Sequence, residues 1–393
     1  MKKLIYILTG FLFLYASESR IKSFGNVKDF VYDPSLTYLY PALLLKFPDI
    51  LWIEFTDSSL QNLPYISFAG VNMKFEKVGA FSFIYNYPSY FYPHIISYPS
   101  KELKESRGFE ILWAKNIGEK INIGTGISFV YVNKEIEDTL LLESPKLSIK
   151  DIEIMPSLSY SISENKNIDI SLHFSLNSFY QEYYTLVIAD TIDGKGNSFY
   201  GLNLRYVMDL TEYSNFIFGF HFYSYPLKYE ERTGATISEF EQKRDEFNIN
   251  IGYYTEPLEN LKIITGLNTN YLKIDTTRIA GVIKRKGSLY AFHLNGILGS
   301  EMELGKHFEI RGGIRKSLLR SLKDKNYEMS GLKNEIMDQE EFNIELGLSF
   351  IKDGFRIDGV LVKDLFFKGP FLISGKESGF FTNLSISYNF SIF

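Results

Sequence analysis

The chain has 393 residues, no cysteine, and 42 Lys and Arg against 47 Asp and Glu, a formal net charge of −5. The lack of cysteine excludes a disulfide scaffold and thiol chemistry, and the modest negative charge argues against a nucleic-acid partner. Aromatics make up 16% of residues while mean hydropathy stays at −0.08, the balance needed by a wall with lipid on one side and water on the other.

The chain opens Met1-Lys2-Lys3, runs uncharged from Leu4 to Ala16, and then breaks into Ser17-Glu18-Ser19-Arg20. A basic start, a short apolar core and small residues in that order predict a secretory signal over 1–19, cut at Ala16 or Ser19. An N-terminal membrane anchor is the weaker alternative, because the run is too short to span a bilayer as a helix. Without cysteine, lipoprotein attachment is excluded. Beyond residue 20 no stretch approaches the roughly 20 apolar residues of a transmembrane helix, which excludes a helical inner-membrane protein.

Next comes Asp33-Pro34-Ser35, a helix-start signal with Asp33 or Ser35 as cap. The apolar run Leu36 to Leu45 behind it is too short to span a membrane and needs a dry wall to lie against. The stretch from Phe24 to Leu43 resembles the N-terminal signature of the FadL-like and PorV-like outer-membrane barrels. There a Gly-rich start leads to Asp-x-Ser and then Asn-Pro-Ala ahead of the first strand. Asp33, Ser35, Pro41 and Ala42 match that order, Tyr40 stands in place of the Asn, and the Gly-rich part is reduced to Gly25. The resemblance implies that residues 20–48, with Asp33, Pro34, Ser35, Pro41 and Ala42 as its motif, fold into the barrel mouth as a plug. It also implies uptake of hydrophobic small molecules or, in the PorV-like case, anchoring or escort of secreted proteins. The residues by themselves leave open a plain leader into the first strand.

From 49 to 393 the dominant signal is alternation, which puts every second side chain on one face of a strand. Ile168, Ile170, Leu172, Phe174 and Leu176 oppose Asp169, Ser171, His173, Ser175 and Asn177, and the segments 121–131, 152–162, 216–222, 247–253, 342–350 and 382–392 read alike. The polar phase carries Gly, Ser and Asn, which leave room for water. Short turns are predicted near 76–77, 118–119, 164–166, 211–213, 258–259, 305 and 352–354. They alternate with long polar loops over 89–106, 134–147, 182–197, 228–242, 275–287, 319–340 and 366–378. With a first strand near 50–57 and a last one at 379–393, the fold class is an all-β transmembrane antiparallel barrel of about 16 strands, or 14. Tyr85, Tyr87, Tyr90, Tyr92, Tyr180, Tyr183, Tyr184, Tyr223 and Tyr225 are expected to form an aromatic girdle at the outer interface. A secreted soluble β-sandwich is the remoter alternative.

The same alternation assigns lumen residues. Glu309, Arg311, Arg315, Glu345, Arg356 and Asp358 fall on the inner phase, since each would cost about 2–4 kcal/mol facing lipid at the midplane. They form either a bracing salt-bridge network, the favoured reading, or a filter for passing solutes. His173, Arg205, His221 and His293 share that phase without a metal-ligand spacing, so no metal or cofactor is expected. No G-x-S-x-G elbow is present, and no enzyme activity is expected. The predicted function is a channel or transporter of the bacterial outer membrane passing small or hydrophobic solutes. Its partners would be outer-membrane lipid, the solute, and the barrel-insertion machinery, although Phe393 sits one residue out of phase with Ile392, Phe390 and Tyr388.

Overall fold

In a computed structural model the described residues are 18–24, 27–31, 33–56, 68–85, 107–135, 146–184, 189–233, 236–280, 283–326, 331–335, 342–361 and 381–390. Residues 1–17 of the predicted signal, the predicted loops 89–106 and 366–378, Tyr87, Tyr90, Tyr92 and Phe393 lie outside them.

Among the described residues there are seventeen strands in one sheet. They are β1 (Ile50–Thr56), β2 (Phe68–Phe75), β3 (Gly79–Tyr85), β4 (Arg107–Ile117), β5 (Ile121–Glu135), β6 (Lys146–Ser163), β7 (Lys166–Tyr184), β8 (Ala189–Thr211) and β9 (Ser214–Thr233). Then follow β10 (Thr236–Leu258), β11 (Leu261–Ala280), β12 (Ile283–Leu304), β13 (Phe308–Asn326), β14 (Gly331–Glu335), β15 (Phe342–Lys352), β16 (Phe355–Leu361) and β17 (Phe381–Asn389). Each pairs antiparallel with its sequence neighbour, and β17 returns to β1 with Ile53 opposite Ile386. The five-residue β14 is a side arm on the far half of β13, whose near half pairs directly with β15. The closed wall is therefore a 16-strand antiparallel barrel, not 14 strands and not a sandwich.

Side-chain phase makes this barrel transmembrane. Phe83, Phe109, Ile127, Ile154, Phe174, Ile249, Ile251, Leu298, Ile344 and Leu348 are all exposed on the outer face, while Ser128, Glu153, His173, Asn203, Asn250, Arg311 and Asp358 are buried on the inner one. In water this arrangement would be inside out; in lipid it satisfies both phases. Seven tight turns at 76–78, 118–120, 164–165, 212–213, 259–260, 305–307 and 353–354 lie where the alternation breaks.

The other ends of the strands differ from expectation. Most of the residues assigned to loops at 182–197, 228–242, 275–287 and 319–326 continue the ladder, so that β8 and β10 reach 23 residues each. A transmembrane strand needs only about 9–11. In sequence the surplus looks like loop because both of its faces are polar, and alternation disappears where both faces meet water. Its strand character comes from cross-strand pairs instead: Lys228 and Glu241 are register partners with Nζ and Oε1 2.6 Å apart, and Tyr229 stacks on Phe240 at 4.5 Å.

The girdle also needs correcting. Tyr223 and Tyr225 point inward, where Tyr225 is buried and stacks on Phe199 at 4.7 Å. The aromatics that end the apolar belt on this side are Phe222, Phe247, Tyr271 and Phe292, which stand in register across β9 to β12. One row farther along, the outward positions become Ser224, Asp245, Lys273 and Tyr290. Between Phe247 and the turn after Leu258 lies the span a bilayer requires. Tyr85 is exposed on β3, Tyr180 is half-buried on β7, and Tyr183 and Tyr184 continue β7.

Candidate functional site

An interior framed by sixteen strands cannot be filled by its own side chains. In this protein the described residues between Arg20 and Phe47 lie against the inward phase. They comprise a short helix α1 (Glu18–Ser23) and three 3-10 turns, Lys28–Phe30, Pro34–Tyr38 and Pro41–Lys46. Asp33 caps the second turn, its Oδ1 accepting from the Ser35 backbone N–H at 3.1 Å, with Pro34 at the first position. Pro41 opens the third turn. Prolines at both starts suit turns whose leading N–H groups have no partner.

The apolar half of the segment packs on one side. Tyr38, Leu44 and Phe47 join Trp52, Ala80, Ile84, Leu112, Ala114 and Met155 in one buried cluster. Ala42 seats its backbone on Gly124, where an added Cβ would come within 2.4 Å of the Ala42 nitrogen. On the other side Phe24, Phe30 and Val31 pack with Ile217, Ile264 and Ile297. Phe30 fills the space over Gly252 and Gly266, whose Cβ atoms would lie 2.5 and 2.6 Å from its ring. Gly124, Gly252 and Gly266 therefore make room for this segment rather than for water.

Polar residues anchor it. Asp29 is fully buried, yet its Oδ2 accepts from His221 Nε2 and from Asn250 Nδ2, both at 2.6 Å, while its backbone carbonyl accepts from Arg205 Nε at 3.0 Å. Burial works against the charge of Asp29, but the His221 imidazole and these hydrogen bonds outweigh it and hold its carboxyl below the usual range. From His221 the network continues: Nδ1 is 2.8 Å from Asn203 Oδ1, Asn203 Nδ2 is 2.7 Å from His173 Nε2, and His173 Nδ1 is 2.7 Å from Glu153 Oε1. Asn203 thus couples the two histidines into one hydrogen-bonded chain between Glu153 and Asp29, and Tyr223 donates its hydroxyl to the same Asn203 Oδ1.

A second cluster holds the start of the segment. Arg20 Nη2 and Lys262 Nζ each lie 3.0 Å from Glu301 Oε1, and Arg311 Nη1 lies 3.7 Å from Glu301 Oε2. Arg311 Nη2 reaches Asp358 at 2.6 Å, Arg356 Nε reaches the same carboxylate at 2.8 Å, and Arg356 Nη2 meets Glu309 at 2.5 Å. Asp33 stands 3.9 Å from Arg20 Nη1; burial pushes its carboxyl up to about 7 despite that cation.

The structure thus brings together Glu309, Arg311, Arg356 and Asp358 in one network, and His173, Arg205 and His221 in the other. Arg315 stands apart, donating to Asn268 at 3.3 Å. Glu345 is half-buried on the same phase of β15, and His293 lies opposite Arg320. Sequence reasoning missed Asp29, Glu301, Lys262 and Arg20. Glu301 has the inner phase of His293 and follows from the same count; Arg20 carries no signal in sequence beyond its place after the predicted cleavage point. Ser171, His173 and Glu153 have the order of a nucleophile relay, with Ser171 Oγ 3.3 Å from His173 Nε2. Here, however, the Ser171 hydroxyl donates to the Leu39 carbonyl and Asn203 reaches the His173 lone pair, so the group serves as a fastening. Among the described residues no group of three His, Asp or Glu side chains is arranged to hold a metal ion.

Reading along the inward phase of β9 gives the profile of the interior. Asn215 and Ile217 line a cavity of about 500 Å³ on the tight-turn side of the segment, together with Phe30, Val207, Ile264, Lys46 and Asp209. Gly219 and His221 meet Asp29. Tyr223 and Tyr225 then stack with Phe199, at 5.8 and 4.7 Å, on the far side.

The barrel is similar to the crystal structure of a Pseudomonas aeruginosa FadL homologue, with a TM-score of 0.50 and 10% identity over 96% of this chain and 100% of that one. It is also similar to the Pseudomonas putida toluene transporter TodX, at a TM-score of 0.47 and 9% identity over 96% and 99%. No family model and no curated protein matches the sequence. The likeness to the FadL homologue supports the fold and nothing finer.

Proposed function

We propose that this protein is an outer-membrane channel for small hydrophobic or amphipathic solutes, with residues 20–48 as a plug in its lumen. The observation that carries this reading is the profile along β9: stacked aromatics, then the Asp29 clamp, then a mixed apolar and charged cavity. A solute leaving the aromatic wall meets the segment and, once past it, a chamber with both apolar and ionic lining. The shared fold with a FadL homologue supports the reading. In it the tight turns face the periplasm, the tall polar strands project outward, and the lumen side chains hold and position the plug and the solute without chemical conversion.

The test is solute selectivity in proteoliposomes. An apolar aromatic or medium-chain amphiphile should cross faster than a sugar of similar size, and Ile217→Asp, which puts a charge in the cavity, should slow the apolar solute at least severalfold. Equal rates for both solutes, unchanged by the substitution, would contradict a hydrophobic route.

A further inference from the structure

The outward-facing lysines on β9, β10, β12 and β13 fall into two groups. On β9 and β10 each is matched: Lys228 with Glu241 at 2.6 Å and Lys243 with Asp245 at 3.2 Å. On β12 and β13 the outward Lys316 and Lys323 are exposed and have no carboxylate partner among the described residues, whereas Lys284, farther out on β12, lies within electrostatic reach of Glu241. Asp275, outward on the neighbouring β11, is taken by Lys273 at 2.6 Å.

Their height on the wall is specific. Lys323 is the register partner of Tyr290, one row beyond Phe292, where the apolar belt ends. Lys316 lies just inside the belt, opposite Gly296 on one side and Phe342 on the other. Between the two, an extra residue in β13 sets both Leu318 and Leu319 on the outer surface, 53% and 51% exposed. A lysine inside a lipid-facing belt extends its stem along apolar surface and delivers its ammonium to the headgroup level. Lys316 therefore reaches toward the level at which Lys323 starts. Gly296 leaves the wall beside Lys316 without a side chain.

We infer that the outer face of β12 and β13 binds phosphorylated lipid headgroups of the outer leaflet, with acyl chains on Leu294, Leu298 and Leu319 and phosphates on Lys316 and Lys323. The positive charge of Lys316 and Lys323 at the edge of an apolar belt complements an anion that is tethered to acyl chains, and a free anion would have no use for the leucines. This rests on the orientation proposed above, with the tight turns toward the periplasm, and not on the solute.

The experiment measures lipid retained by the full-length protein in native mass spectrometry, with a bis-phosphorylated glycolipid and its dephosphorylated form as probes. Heat-modifiable migration of each variant is recorded first; a wild-type protein without it would overturn the barrel itself and not the patch alone. The wild type should retain the phosphorylated probe preferentially. K316Q/K323Q should weaken retention at least about tenfold, and K228Q/K243Q should leave it unchanged. Millimolar inorganic phosphate should not displace the lipid. Equal retention of both probes, full retention by the double variant, or displacement by phosphate would each overturn the proposal.

Discussion

Asp29 Oδ2 lies 2.6 Å from Nε2 of His221, joining the N-terminal segment to the wall across 192 residues of sequence. His221→Ala removes one hydrogen-bond partner of the buried Asp29 carboxyl and leaves Asn250 as its remaining side-chain partner at normal distance. Losing one partner of a buried pair typically costs about 3–5 kcal/mol. Hydrogen exchange at residues 27–31 should accelerate by more than about a hundredfold, with the barrel strands unaffected. Adding Asp29→Asn should recover part of the protection, because the orphaned charge is gone.

Phe30 is held by shape. Gly252→Leu places a Cβ 2.5 Å from its ring, so the ring must leave, forfeiting about 1.5–3 kcal/mol of burial. Limited proteolysis should then cut at Lys28, which the wild type protects. Gly296→Ala, whose Cβ has Leu318 as its nearest neighbour at 3.4 Å on the outer face, should behave as wild type.

The fastening should respond to pH through Asp33. Its carboxyl is raised by burial from an ordinary value near 4 to about 7 when the segment is docked, with Arg20, Arg356 and Asp358 as its charged neighbours. A raised acid is most favourable to the docked state while protonated in both states, so docking weakens as pH climbs from about 4 to 7 and is level above that. Asp33→Asn should remove this slope. Exchange rates at residues 33–40 measured from pH 5 to pH 8 test it, and an identical slope in the variant would exclude Asp33 as its source.

Lipid exposure of the outer phase can be checked at neighbouring positions. Ile249→Arg on β10 turns a charge into the belt and should destabilise the protein in vesicles by about 2–4 kcal/mol. Asn248→Arg, one residue away on the half-buried inner phase, should cost much less. Urea unfolding in lipid vesicles separates the two.

The transmembrane part of the wall was legible because lipid imposes one rule on every second residue, so Phe216 to Phe222 and Ile168 to Leu176 declare both strand and face. The rule ends where the bilayer ends. From Lys228 to Lys243 both faces meet water, and cross-strand pairs such as Lys228 with Glu241 hold the ladder without leaving a period. Tyr223 and Tyr225 misled because an aromatic beside the belt fits either a girdle or a lining, and parity with the inward His221 decides between them. The site was half visible. His173, Arg205, His221, Arg311 and Asp358 showed their phase, but what they hold did not, since Asp29 and Arg20 reach them through tertiary contacts that no spacing encodes.

The central claim is that residues 20–48 close the pore. Planar-bilayer conductance of the protein with and without residues 21–48 tests it most directly. A small conductance in the intact protein, rising to large discrete steps in the deletion variant while heat-modifiable migration is retained, is the predicted result. The same conductance in both would contradict it.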